Sequence, residues 1–182
     1  MKIDADYGYA VALGHLTHDF EAGQLYGLTG ANGTGKSTLL ATLAGEQAPV
    51  TGDVDLPPLG RVINVGDPVF LPDLTVGEHF SLIAKSTGLD VQEIVELWAL
   101  QPLLEQPAFR LSSGQRQRVY LAAQIYQPCD VLLIDEPERH LDEDWTAFLV
   151  SELQYLTGDG RCVIVATHSA LVREGCDEVI TL

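Results

Sequence analysis

Hydrophobic and polar positions change period along this chain. Within residues 1–28, Val11, Leu13, Leu16 and Phe20 are spaced by alternation and turns, with Gly8, Gly14 and Gly23 as punctuation, which predicts strands. Residues 24–29 form a short apolar strand that runs into a glycine-rich loop, and residues 36–44 read as a helix. Residues 45–58 are broken by Gly and Pro, and residues 61–65 read as another strand. The period then lengthens. Val76, Phe80, Ile83 and Ala84 recur at the spacing of one helix face, as do Val91, Ile94, Val95 and Trp98. Pro102 and Pro107 separate these helices from one that begins near Ser112, where Val119, Ala122, Ala123 and Tyr126 share a face. The last third alternates again. A buried-type strand at 131–134 leads to a helix over 142–156 that turns Trp145, Phe148, Leu149, Leu153 and Leu156 inward. A strand at 163–166, a short helix and a final strand from 178 to 182 complete the chain.

Strands alternating with helices predict an α/β fold with a largely parallel sheet covered by helices. Residues 67–111 interrupt that alternation with helices alone, so they are expected to form a small helical subdomain. The 182 residues suffice for one compact domain, with no internal repeat or low-complexity run. The formal net charge of -16 repels phosphate and anionic lipid, which argues against a nucleic-acid-binding face. Cys129, Cys162 and Cys176 have neither metal-site nor redox spacing and read as reduced structural thiols, as in a cytosolic protein. The N-terminus has no signal-peptide pattern, and no apolar run approaches the ~20 residues of a membrane helix.

The chemistry begins after the apolar strand at 24–29. Gly30-Ala31-Asn32-Gly33-Thr34-Gly35-Lys36-Ser37 fits the phosphate-loop pattern G-x-x-x-x-G-K-[ST] between a strand and a helix. Its glycines let backbone N–H groups turn inward as an anion nest, and the helix N-terminus adds positive potential. Lys36 supplies charge to the outer phosphates, and Ser37 offers a hydroxyl to Mg²⁺. Asn32, Gly33, Gly35 and Thr38 are assigned to the same nucleotide site. Further on, Val131-Leu132-Leu133-Ile134 ends in Asp135 and Glu136. A buried strand delivers such acids to the sheet edge where ligands bind in open α/β folds. Asp135 is expected in the Mg²⁺ shell and Glu136 as the general base that polarises the attacking water.

Leu111-Ser112-Ser113-Gly114-Gln115 precedes a helix carrying Arg116, Gln117 and Arg118, upstream of the acidic strand. Here the chain resembles the ABC ATPases, whose LSGGQ signature occupies this place. The resemblance covers essentially the whole chain. It implies a P-loop NTPase fold with a mainly parallel central sheet flanked by helices, a small antiparallel β subdomain near the N-terminus and an inserted α-helical subdomain. It implies one domain over 1–182, with 1–66 and 116–182 as core and about 67–115 as the helical part that carries the signature. Two such domains would pack head to tail, as a homodimer or with another ABC ATPase domain. Ser112, Gly114 and Gln115 of each would then close over ATP held by the other. The Leu141-Asp142 that follows Glu138-Arg139-His140 matches the family's D-loop ending, and Thr167-His168 stands where the family has its switch histidine. His168 would contact the γ-phosphate and help hold Glu136 and the water. Tyr7 lies at the family's spacing for the aromatic that stacks on adenine, with Tyr9 and plain core packing as competing readings.

The implied activity is ATP hydrolysis with Mg²⁺, powering solute transport through a separate transmembrane permease chain at the cytoplasmic face of the membrane. Three departures bear on this. The glutamine of the family's Q-loop is missing, and its place falls at Gly66 or Asp67. Asp67 is expected to offer an oxygen to the metal, so Asp67→Ala should impair Mg²⁺-dependent turnover more than ATP binding. Ser113 replaces a signature glycine, and Arg139 and His140 replace small D-loop residues, where they would sit near the dimer interface and specify a partner. A soluble ABC ATPase acting on DNA or the ribosome is the second reading. About 75 residues separate loop from signature without sustained heptads, and the acidic charge also counts against it. A non-hydrolysing regulatory sensor is the third, motivated by the missing glutamine and opposed by Glu136 and His168.

Overall fold

The computed structural model of the protein describes residues 1–56 and 61–182. Pro58, the end of the segment expected to be irregular, lies outside the described residues. The chain divides into two compact units, one of residues 1–66, 129–138 and 143–182, the other of 67–128 and 139–142.

In the first unit, β1 (Lys2–Gly8), β2 (Ala12–Asp19) and β4 (Thr51–Val54) form an antiparallel sheet in the order β2-β1-β4. The strand β4 falls in the segment expected to be broken. Thr-Gly-Asp-Val carries no apolar alternation, and its pairing comes from β1, with Ile3 opposite Val54 and Asp6 opposite Thr51. A second sheet joins β3 (Leu25–Thr29), β5 (Val62–Val65), β6 (Val131–Asp135), β7 (Cys162–Ala166) and β8 (Glu178–Thr181) in the order β5-β6-β7-β3-β8, with every pair parallel. Parallel neighbours need crossover helices, which here are α1 (Lys36–Leu43), α5 (Glu143–Gly158) and the short α6 (Ala170–Glu174).

Alternation along the parallel strands assigns each side chain to a face. Tyr26, Leu28, Leu133, Ile164 and Ala166 join Leu39, Leu40 and Leu43 of α1 in one buried cluster that reaches Ile3, Tyr7, Leu16 and Phe20. The intervening Leu132, Val163 and Val165 are equally buried, and α5, with Leu149, Leu153 and Leu156 buried, packs against β7 and β3. Burial on both faces explains why these strands read as near-continuous apolar runs.

The second unit holds α2 (Val76–Thr87), α3 (Val91–Leu97), α4 (Ser113–Gln124) and two single 3₁₀ turns, Gln101–Leu103 and Ala108–Arg110. Local chemistry sets the ends of α2. Thr75 and Glu78 form a reciprocal capping box at its start, and Gly88 closes it in the left-handed region at φ 76°. Asp90 caps α3. Trp98 is fully buried and its indole N–H donates to the Tyr126 hydroxyl at 2.8 Å. The unit runs to Pro128, past the boundary of 115 expected from the sequence. The reason is that α4 packs on α2, its Tyr120 ring meets Phe70 at 6.0 Å between centroids, and the Tyr126 hydroxyl just beyond its end accepts from the Trp98 indole.

Candidate active site

The strand order determines what meets at the sheet edge. β7 lies between β6 and β3, and all three run in parallel. Their C-terminal ends therefore deliver residues 30–37, the pair Asp135–Glu136 and the pair Thr167–His168 to one edge. That edge is where open α/β sheets bind ligands.

The glycine-rich loop turns into α1 through Gly35, whose φ of 94° lies in the region that disfavours side chains. A Cβ there would also stand 2.8 Å from the Tyr7 ring and 3.0 Å from Leu13 Cδ1. Among the described residues no side chain caps the N-terminus of α1 and no acid occupies its first turn. Its leading N–H groups are thus not satisfied by a side-chain cap, the arrangement of helix N-termini that receive anions. Lys36 is 6% exposed, and its ammonium donates to the carbonyls of Gly30 at 3.0 Å and Ala31 at 3.2 Å, within the loop's own concavity. Ser37 is exposed in the first turn, and Thr38 behind it is buried.

The expectation that Tyr7 stacks on a base meets a different placement. Its ring is 2% exposed, wedged between Gly14 and Gly35, and its hydroxyl donates to the Thr34 carbonyl at 3.4 Å. Burial raises the phenol's pKa above its ordinary 10. A ring so enclosed presents no face to an adenine. The exposed ring of this hairpin is Tyr9, at 74%.

Glu136 follows β6 with φ 46°, an uncommon conformation for a residue with a side chain, held by its N–H bond to the Ala166 carbonyl at 2.8 Å. This turn brings Glu136 Oε1 to 3.5 Å from His168 Nε2. The two residues named as base and switch thus meet. Glu138, which motif matching treated only as the start of the D-loop segment, also reaches this place. Its Oε1 accepts from the Thr167 hydroxyl at 2.6 Å and from the backbone N–H groups of His168 at 3.0 Å and Ser169 at 3.1 Å. Nothing in its spacing signalled this.

In the second unit, Ser112 caps α4. Its hydroxyl accepts from Gln115 N–H at 3.2 Å, and Gln115 Oε1 accepts from Ser112 N–H at 2.9 Å. Gly114 is held to glycine by the backbone, since a Cβ would lie 2.7 Å from the His140 carbonyl oxygen. Arg116 stacks over Phe70 at 5.8 Å. Asp67, named as a metal ligand, is 82% exposed and its Oδ1 accepts from Arg139 at 2.8 Å. Two of the departures from the family pattern, at Asp67 and Arg139, are therefore partners of each other, and Asp67 belongs to a different unit from Ser37 and Asp135.

A parallel sheet with a phosphate loop after one strand and a carboxylate pair after another defines a nucleotide-hydrolysing α/β protein. The sequence profile of the ABC transporter family matches residues 13–139, and the chain belongs to that family. It is 30% identical over 186 residues to a zinc import ATP-binding protein of Jannaschia sp. (strain CCS1), covering 100% of this chain and 76% of the relative. It is 35% identical over 151 residues to a cytochrome c biogenesis ATP-binding export protein of Paracoccus denitrificans (strain Pd 1222), covering 82% of this chain and 72% of the relative. In fold it is similar to the solved ATP-binding subunit of an ABC transporter, with TM-score 0.87 at 24% identity over 100% of this chain and 85% of the other. A bacterial ABC transporter cassette solved as a dimer gives 0.81 at 23%, over 100% and 94%. The protein is an ATP-binding, ATP-hydrolysing subunit of an ABC transporter. Among the described residues no helix is long and apolar enough to cross a membrane.

Proposed function

We propose that residues 30–37 hold the phosphates of ATP, with backbone N–H groups of Asn32, Gly33, Gly35 and the α1 terminus as donors and Lys36 as the charge. The observation that carries this reading is the meeting of Glu136 and His168 at 3.5 Å, at the sheet edge that also carries the phosphate loop. Glu136 takes a proton from the attacking water, and His168 orients Glu136 and donates toward the γ-phosphate. Tyr9 supplies the exposed ring for the base. The donors fit Mg²⁺, since the Ser37 hydroxyl and the Asp135 carboxylate are hard oxygens and this ion takes its remaining ligands from phosphate and water. Bound Mg²⁺ neutralises charge that develops on the phosphate oxygens. The Arg139 bond to Asp67 Oδ1 leaves the assignment of the metal on Ser37 and Asp135.

Ser112, Gly114 and Gln115 start a capped helix whose N-terminus suits a second phosphate contact, so they serve ATP held by another ABC ATPase domain in a head-to-tail pair. ATP closes this pair, and hydrolysis reopens it against a membrane-spanning permease chain at the cytoplasmic face. The zinc import and cytochrome c biogenesis export relatives differ in cargo and direction. What they support in common is this ATPase cycle.

Glu136→Gln tests the reading. Sedimentation of the purified variant should shift from monomer to dimer only when Mg²⁺-ATP is present, because the base that would reopen the pair is gone. Measurable ATP binding with no shift would exclude self-pairing and leave a different ABC ATPase chain as the partner.

A further inference from the structure

We propose that Glu138 is a positioning residue for hydrolysis, holding the backbone of residues 167–169 so that His168 can reach Glu136. The inference rests on the reading of Glu136 and His168 as base and switch. It goes further by assigning a role to Glu138, a residue to which the motifs gave no part in hydrolysis.

The chain leaves β7 after Ala166 and enters α6 at Ala170. Between them, the N–H of Thr167 donates to the Leu28 carbonyl at 3.0 Å. The next two N–H groups, of His168 and Ser169, point away from the ladder, and both donate to one carboxylate oxygen, Glu138 Oε1, at 3.0 and 3.1 Å. The Thr167 hydroxyl is the third donor to that oxygen at 2.6 Å and itself accepts from Ser169 N–H at 3.0 Å. Charge-assisted bonds of this kind are shorter and stronger than neutral ones. Thr167 is almost fully buried, so its hydroxyl is not shared with solvent. The second oxygen, Oε2, is buried with no hydrogen-bond partner among the described residues. An unpaired buried carboxylate oxygen carries a desolvation cost, and three donors on its neighbour offset it. The carboxylate follows Glu136 by two positions, across the buried Pro137. The turn after β6 thus holds Glu136 with one residue and the His168 backbone with the next acid along. The 3.5 Å approach of the imidazole to Glu136 depends on both.

The test is a double-mutant cycle in steady-state ATPase of the full chain, with Glu138→Ala, Glu138→Gln, His168→Ala and the combinations. A displaced catalytic group costs up to about a hundredfold in rate. Glu138→Ala should therefore lower kcat by about tenfold or more with KM for ATP unchanged. Glu138→Gln should recover part of that loss, since its amide oxygen can accept the same three bonds. In the His168→Ala background Glu138→Ala should cost nothing further, because the group it positions is gone. Amide exchange adds a second readout. His168 and Ser169 N–H groups should lose protection in Glu138→Ala while β6 and β7 keep theirs. If Glu138→Ala does not fold, Glu138→Gln in both backgrounds carries the cycle. Equal losses with and without His168, or an unchanged kcat in Glu138→Ala, overturn the proposal alone. Wild-type kcat in His168→Ala overturns the switch reading and the proposal with it.

Discussion

Single side chains at this site act through where burial puts them. Tyr7 and Tyr9 are two residues apart, yet one is enclosed behind the phosphate loop and the other faces solvent. Their roles separate by probe. Tyr9→Ala should weaken ATP binding by about tenfold, the scale of one lost base–aromatic stack, and leave inorganic tripolyphosphate untouched. Tyr7→Ala removes a buried ring that supports Gly35, so it should weaken ATP and tripolyphosphate by the same factor. Titration of both ligands against each variant checks this, and loss of ATP alone in Tyr7→Ala would return Tyr7 to the base. The spacing that pointed to Tyr7 was sound as a count along the chain. It did not report that Gly14 leaves room for the phenol to turn inward. Asp67 shows the same limit, because Arg139, its partner, is 72 residues away. An exposed pair of this kind contributes little to stability, about 0–1 kcal/mol.

Among the elements, α4 concentrates its stabilising contacts at its first turn. Ser112 and Gln115 satisfy each other's backbone N–H groups, and Gly114 lies against the His140 backbone. Ser112→Ala should cost about 1 kcal/mol of folding stability through the lost cap. Gly114→Ala should cost about 1–3 kcal/mol, because its methyl must push a carbonyl rather than a flexible side chain. Urea unfolding midpoints measure both. In the head-to-tail reading neither should change ATP affinity of the monomer, and both should weaken the ATP-dependent dimer of Glu136→Gln. The helix start and its apolar face were readable from a few consecutive residues, since periodicity is local. The strand β4 was not, since its polar Thr51-Gly52-Asp53 run becomes a strand only through the ladder to β1.

Across the whole molecule, three free thiols sit in a chain of formal net charge -16. Burial pushes Cys162 from its ordinary 9.0 up to about 11, and burial, with Asp177 adding, does the same to Cys176. Below pH 9 the thiols are protonated in native and unfolded chains alike, and their contribution to stability is fully present. Above pH 9 the unfolded chain releases protons that the native state keeps, so stability falls until the pH passes about 11. Urea midpoints should decline across that window, and less steeply in Cys162→Ser, where one of the titrating groups is gone. A flat profile in the wild type would show that these thiols are not withdrawn from water in solution.

The parallel sheet, the phosphate loop, the acid pair, the signature and the helix ends were legible in the order of residues because each depends on neighbours a few positions apart. Hydrophobic period reports which face an element buries, and a motif of fixed spacing places its groups whatever lies elsewhere in the chain. Folding alone settled the enclosure of Tyr7, the pairing of Asp67 with Arg139, the division of the helical unit at Pro128 and the capture of residues 167–169 by Glu138. Those contacts join segments 27 to 72 residues apart. No local period or spacing encodes which of many polar groups will find each other once the sheet has brought its strand ends together.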